Sequence, residues 1–272
     1  MTKVVLALLC LMWMVPLIGI MITSFRPRED AESSGWWTVF GSLGNLTLTN
    51  YDKAINGGSD MGNAFWNSMA ITLPATFIPV LIAAFAAYAF TFMEFPGRDT
   101  LFLAIVAIMV VPNYVALVPL LKIYGSLEMN GTFPAAWLAH IGFGMPLAIY
   151  ILRNYMATLP KTIIESAKID GATHFQTFYR LVLPMSVPAL ASFAIFQFLW
   201  VWNDLLVALV YLGTNDAVMV LPARLNEMNG TRGESWHLLT AGAFVTMAVP
   251  LAVFLALQRY FVRGIIAGSV KG

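Results

Sequence analysis

Charge is what this 272-residue sequence has least of. Asp, Glu, Lys and Arg together make up 11%, where about 25% is usual in a soluble domain. With 59% hydrophobic residues and a mean hydropathy of +0.76, the chain reads as a polytopic membrane protein rather than a soluble globule. Fifteen basic against fourteen acidic residues leave a net charge of +1. No basic run exists, which argues against nucleic acid as a partner. The single cysteine, Cys10, lies inside an apolar run and has no second thiol with which to form a disulfide or hold zinc. Three histidines, His140, His174 and His237, are scattered without ligand spacing, so no metal site is expected. There is no Gly-x-x-x-x-Gly-Lys-Ser/Thr loop to hold ATP and no nucleophile elbow with Ser/His/Asp partners. Catalytic residues are therefore not expected. No internal repeat, direct or inverted, and no low-complexity tract is detectable.

What is present is a set of long apolar runs. A helix crossing about 30 Å of hydrocarbon needs roughly 20 apolar residues, and six segments meet that condition, near 4–25, 65–92, 101–123, 133–153, 187–211 and 239–261. The expected fold is all-α, with 1–272 forming one transmembrane domain. The first run, Val4 to Ile22, exceeds the usual 7–15 residues of a signal-peptide core, and no small-x-small cleavage site follows, so it is read as an uncleaved span. An even count puts both termini on one side. Inner segments then hold Lys3, Arg98, Arg153, Lys161, Lys168, Arg180, Arg259, Arg263 and Lys271, and outer ones Arg26, Arg28, Lys53, Lys122, Arg224 and Arg232. The excess of basic residues on the side of the termini makes that side cytoplasmic. Asn67 and Ser68 open the second span and read as caps. Small residues in that span, Ala83, Ala84, Ala86, Ala87 and Ala89, allow a neighbouring helix to approach closely. Pro112 and Pro119 are seven residues apart, on roughly one face of the third.

The one hydrophilic island inside the apolar half is 157–185. It reads as a short helix, a glycine break at Gly171 and a second short helix capped by Thr173. Thr162 would cap the first helix, with Glu165 as its capping-box partner. Pro184 closes the segment before the next apolar run. Glu165, Ser166, Ala167, Gly171, Leu181, Leu183 and Pro184 match, with Ser166 for the first alanine and Leu181 for an isoleucine, the spacing Glu-Ala-Ala, three residues, Gly, nine residues, Ile, one residue, Leu-Pro. This resembles the EAA loop of ABC-importer permeases.

Further landmarks are Ala86-Ala87-Tyr88-Ala89, Phe95-Pro96-Gly97, Trp202-Asn203-Asp204 and the glycine-rich tail ending Val270-Lys271-Gly272. With these, the chain from about Asn45 onward resembles the maltose- and trehalose-type carbohydrate permeases. The resemblance implies the type I importer fold with six transmembrane helices in a bacterial inner membrane. It implies a second homologous permease subunit, two ATP-binding subunits holding ATP and Mg²⁺, and an external solute-binding protein, with no cofactor in this chain. Ile163, Ile164, Glu165, Ser166, Ala167, Asp170, Gly171, Leu183 and Pro184 would couple to the ATPase. Ile163, Ile164 and Ala167 would bury against it, and the tail residues Gly268, Lys271 and Gly272 would reach between the ATPase subunits.

Polar residues inside apolar spans need partners or a function. Gln197, Trp200 and Asp204 recur at three and four residues, on one helix face, with Trp202 and Asn203 beside them. Amides, a carboxylate and indoles are the groups that bind sugar hydroxyls and stack on sugar rings. Asn113 and Tyr114, beside Pro112, form a second pathway candidate. An interhelix hydrogen bond that fixes the bundle is the alternative for the span-five residues. As whole-protein alternatives, an ion-gradient-driven transporter would use Asp204 as its intramembrane ionisable group, and a scaffold subunit would have no pathway.

Overall fold

The computed structural model describes residues 2–41, 43–229 and 235–269, with only the backbone from residue 259 onward. Among the described residues every regular element is helical. Four helices are long and apolar enough to cross a membrane, namely α1 (Thr2–Ser24), α2 (Met61–Phe92), α5 (Phe133–Met156) and the first part of the last helix, Trp236–Gln258. Two bent pairs bring the number of spans to six. One is α3 (Arg98–Ile108) with the helical stretch Asn113–Ser126, of which α4 is Leu117–Ser126, bent by 89°. The other follows α6 (Lys161–Ile169) and joins α7 (His174–Met185) to α8 (Val187–Asn203), bent by 71°. A one-residue break at Asp204 then leads to α9 (Leu205–Tyr211), and α10 runs Trp236–Ser269.

Two of the apolar runs are therefore not single rods. Pro112 takes an extended conformation (φ −61°, ψ 125°) that stops the third span, since proline lacks the amide the helix needs. Pro119 lies in the first turn of α4, where that amide has no helical partner anyway, so the two prolines do not share one helix face. Hydropathy runs straight through both breaks.

The contacts group the chain into two compact units, Met1–Ser68 with Thr214–Leu251, and Met69–Gly213 with Ala252–Gly272. In the first unit, α1 leaves its apolar side chains exposed, and only 6% of its most apolar window is buried. The segment after it folds back by side-chain hydrogen bonds to main chain. Asn50 Nδ2 donates to Ser24 O (2.9 Å) and Arg26 O (2.8 Å), and the buried Arg26 guanidinium donates to Asp30 O (2.7 Å) and Ser34 O (3.0 Å). Asn67 and Ser68 are not caps. The Asn67 amide donates to Ala217 O (3.1 Å) and Met219 O (3.0 Å), and the Ser68 hydroxyl accepts from Leu221 N (2.9 Å), fastening the last outer loop to α2. There Arg224 pairs with Asp216 (2.6 Å) and Glu227 (2.7 Å). Burial by itself lowers the Arg224 pKa, but the bonds to the two carboxylates outweigh it and hold the pKa above the ordinary arginine value.

The second unit has the larger core. Ala83, Ala84 and Ala87 of α2 meet Leu152 and Met156 of α5, Ile164 of α6, Phe178 and Val182 of α7, and Phe193 of α8. Small residues on one helix let bulky side chains of its neighbours approach the backbone, a membrane-protein packing mode. A smaller cluster joins Leu117 and Tyr124 of α4, Ala135 and Ala139 of α5, and Val207 and Tyr211 of α9. The Tyr211 hydroxyl donates to Leu117 O at 3.2 Å.

Candidate functional site

The elbow 157–185 is built by local rules. α6 starts at Lys161 behind Pro160, and no side chain caps it. Thr162 and Glu165 therefore sit inside the helix instead of forming the expected capping box, because the preset φ of proline (−61°) already starts the turn two residues earlier. At the other end Gly171 adopts φ +78°. Its N–H donates to Lys168 O (3.1 Å) and the next N–H, of Ala172, donates to Ala167 O (2.9 Å). That pair of bonds is the Schellman closure of a helix, which requires a left-handed residue where Gly171 stands. Thr173 caps α7 as expected. Gln176 N donates to its hydroxyl (3.2 Å) while Thr173 N donates to Gln176 Oε1 (2.8 Å).

The elbow is also packed. Ile164 and Ala167 are 5% and 7% exposed and point into the unit's own core, so they are not free to bury against another subunit. Their spacing puts them on the inner face of α6. Glu165, Ser166 and Asp170 are exposed, with Ile163 at 36% and Ile169 at 86%. Phe178 stacks on Phe85 at 4.5 Å and meets Tyr88 edge-on at 5.4 Å, and the Tyr88 hydroxyl shares a 3.1 Å hydrogen bond with His174 Nδ1. The backbone of Phe178–Val182 is a wider π-type turn. Leu183 is half-buried against the core, and Pro184 is exposed inside the first turn of a helical piece. Phe175 and Tyr179 stack with rings 3° from parallel and stay exposed. None of these aromatic contacts has a signature in the sequence, because each pairs residues far apart or on an ordinary helical repeat.

The pathway candidates converge only in part. Asn113 and Tyr114, Gln197 and Trp200 line one cavity of about 530 Å³, together with Gly142–Leu147 of α5. Its lining includes no charged side chain. Gln197 is fully buried, and its amide donates to Ala75 O and His140 O, each at 3.2 Å, which ties α2, α5 and α8 together. Gly144 makes room for it: a Cβ there would lie 2.5 Å from Gln197 Oε1. The His140 ring meets Trp200 edge-on at 5.9 Å. Asn203 and Asp204 lie outside the cavity lining. The exposed Asn203 bonds back to Leu199 O (2.7 Å), and Asp204 Oδ1 accepts from Val207 N (3.0 Å) as the cap of α9. Asp204 thus leaves the helix face of Gln197 and Trp200, because α8 ends at Asn203. Gly268 lies in α10, while Lys271 and Gly272 fall outside the described residues.

The family described as binding-protein-dependent transport system inner membrane component matches residues 79–267. This chain belongs to that family. The osmoprotective compounds uptake permease protein GgtD of Synechocystis sp. is 55% identical, over 95% of this chain and 88% of that protein. The alpha-glucoside transport system permease protein AglG of Rhizobium meliloti is 54% identical over 84% of this chain, which spans 61% of that longer relative. A crystal structure of a bacterial ABC transporter involved in import of the acidic polysaccharide alginate contains a chain of the same fold. It has a TM-score of 0.80 at 17% identity, over 96% of this chain and 95% of that one. The six spans, four of them single helices and two bent pairs, are thus the spans of a binding-protein-dependent permease.

Proposed function

We propose that this permease moves a neutral, hydroxyl-rich solute of the sugar or glycoside class inward, and that an ATPase drives it through the elbow. The elbow faces the cytoplasm, both termini lie on that side, and the membrane is a bacterial inner membrane. A second permease subunit, two ATP-binding subunits carrying ATP and Mg²⁺, and an external solute-binding protein complete the importer.

One observation carries the reading. The elbow presents exposed Ile163, Ile169, Phe175 and Tyr179 beside Glu165 and Asp170, while Ile164, Ala167 and Phe178 root it in the core. Apolar groups left in water on a polar segment mark a protein contact, and the rooted face transmits a push into the spans. Ile163, Glu165, Ser166 and Asp170 make the contact. Ile164, Ala167 and Leu183 hold it rigid, and Gly171 sets its angle. ATP closure of the partners displaces the elbow, and the spans alternate access by rigid-body rocking. The tail residues Gly268, Lys271 and Gly272 extend toward the same partners.

The solute class is read from the 530 Å³ cavity, whose polar side chains are the Asn113 and Gln197 amides, the Tyr114 phenol and the Trp200 indole, with no cation for an acidic sugar. Asn203 and Asp204 shape the break beside the pathway. The name of one relative, an alpha-glucoside transport system permease, supports a glycoside. Uptake by proteoliposomes containing the whole importer tests this. Neutral glycosides should be accumulated with ATP inside and no ion gradient, with Trp200→Ala raising KM several-fold. Uptake driven by a gradient without ATP, or preference for uronates, would refute it.

A further inference from the structure

A second cavity, of about 500 Å³, opens beside α6 and is lined by Arg98, Arg153, Lys161 and Lys168 together with Glu94 and Glu165. Four cations face two carboxylates, yet none of these carboxylates forms an ion pair among the described residues. Arg98 alone is paired, with Asp99 at 3.1 Å, outside the lining. Arg153 stands 4.7 Å over the Phe102 ring and reaches Asn154 Oδ1 only at 3.4 Å. Its Nε is buried and has no hydrogen-bond partner among the described residues. A guanidinium donor withdrawn from water without an acceptor is costly, and three further cations around one space repel one another unless an anion lies between them.

The depth of the cavity identifies the anion. Phe90, Thr91 and Phe92 come from the last turn of α2, Arg98 from the first of α3 and Arg153 from the last of α5. Membrane-length helices end at the headgroup layer, and basic pockets between their ends bind anionic headgroups. The phenylalanines flanking the basic cluster offer an apolar wall to acyl chains. We infer that this cavity holds the phosphate of an anionic phospholipid, gripped by Arg153 and Lys168 at the root of the elbow. The site is separate from the solute cavity and holds whatever solute is carried.

The test uses the full-length chain co-purified with its partner subunits into nanodiscs of phosphatidylcholine with or without phosphatidylglycerol. The lipid retained per complex is then counted by native mass spectrometry. One phosphatidylglycerol should be retained in preference to phosphatidylcholine. Arg153→Gln should weaken retention about fivefold, and Glu94→Gln, which removes a repelling charge, should strengthen it by about the same factor. Lys122→Gln, outside the cavity, should change nothing. The gain from Glu94→Gln cannot arise from misfolding, so it remains decisive even if Arg153→Gln is unstable. Equal retention of the two lipids, or no response to Glu94→Gln, overturns the proposal. Displacement of the lipid by inorganic phosphate at matched concentration assigns the site to a free anion and also overturns it. Loss of the lipid only when the ATPase subunits are added means that a protein surface fills the cavity, which likewise overturns it. Because lipid is counted without transport, failed uptake and an empty lipid site are told apart.

Discussion

Gly171 is the position where the elbow can be tested most sharply. Its φ of +78° lies in the left-handed region, and no atom lies within 4 Å of the place a Cβ would take, so substitution there changes backbone strain without a steric clash. Gly171→Ala should cost about 1–2 kcal/mol, enough to lower the population of the intact elbow by a factor of about 5–30 relative to competing conformations. Gly171→Asn should cost less, since asparagine tolerates this region. Gly171→Pro cannot reach φ +78°, loses the N–H that bonds to Lys168 O at 3.1 Å, and pushes Asp170 out of its near-helical conformation. With membrane levels measured alongside, ATP-driven uptake in proteoliposomes should fall in the order Gly, Asn, Ala, Pro, with the last near zero and the protein still inserted. Uptake by Gly171→Pro at the normal rate, or Asn performing worse than Ala, would refute the assignment of the Schellman closure as the element that sets the elbow.

Thr173→Ala removes the reciprocal cap of α7 and should destabilise the elbow by about 1 kcal/mol, seen as faster amide exchange at 174–177, with Thr173→Ser close to normal. Gly144→Ala should lower the melting temperature in detergent, because its Cβ displaces a Gln197 amide held by two carbonyls. The cost is about 1–3 kcal/mol, and most of it should vanish in a Gln197→Ala background, a coupling that a double-mutant cycle reads directly. Phe178→Ala removes a side chain that is 2% exposed, stacks on Phe85 and meets Tyr88 edge-on. It should cost about 3–5 kcal/mol and, in complexes that still assemble, leave ATP hydrolysis running with reduced uptake. Retained coupling in that variant would show that α7 does not transmit the push.

The parts of the fold legible in the sequence are those governed by composition and by backbone chemistry. Apolar length marks the spans, and a glycine two residues after an amphipathic stretch, with a threonine two residues further on, marks the elbow with its left-handed turn and second cap. What escaped is geometry that competes with an equally good local alternative. Pro160 and Thr162 are both competent helix starts, and the preset φ of Pro160, together with the packing of Ile164 into the core, decides for the first. The break at Asp204 lies within an unbroken apolar run, so hydropathy carries no trace of it, although an aspartate three residues before an amide it can cap is a readable stop-and-start signal. Gln197 was legible as a polar group that needs a partner. Its partners are carbonyls on two other helices, which no spacing rule reveals.

Two turns bound the second half of the elbow, and the contacts between them fix how it could pass on a push. Gly171 turns the chain between α6 and α7, and Ser186 lies at the 71° bend between α7 and α8. Between them, α7 is held by Phe178 against α2, by the Tyr88–His174 bond, and by Tyr155 of α5, whose hydroxyl donates to Met185 O at 3.3 Å. A segment held at three points to its neighbours moves with them as one body. Under the proposed coupling, force applied at exposed Glu165 and Ile169 would reach α2, α5 and α8 together. Those are the helices that Gln197 ties to one another beside the 530 Å³ cavity.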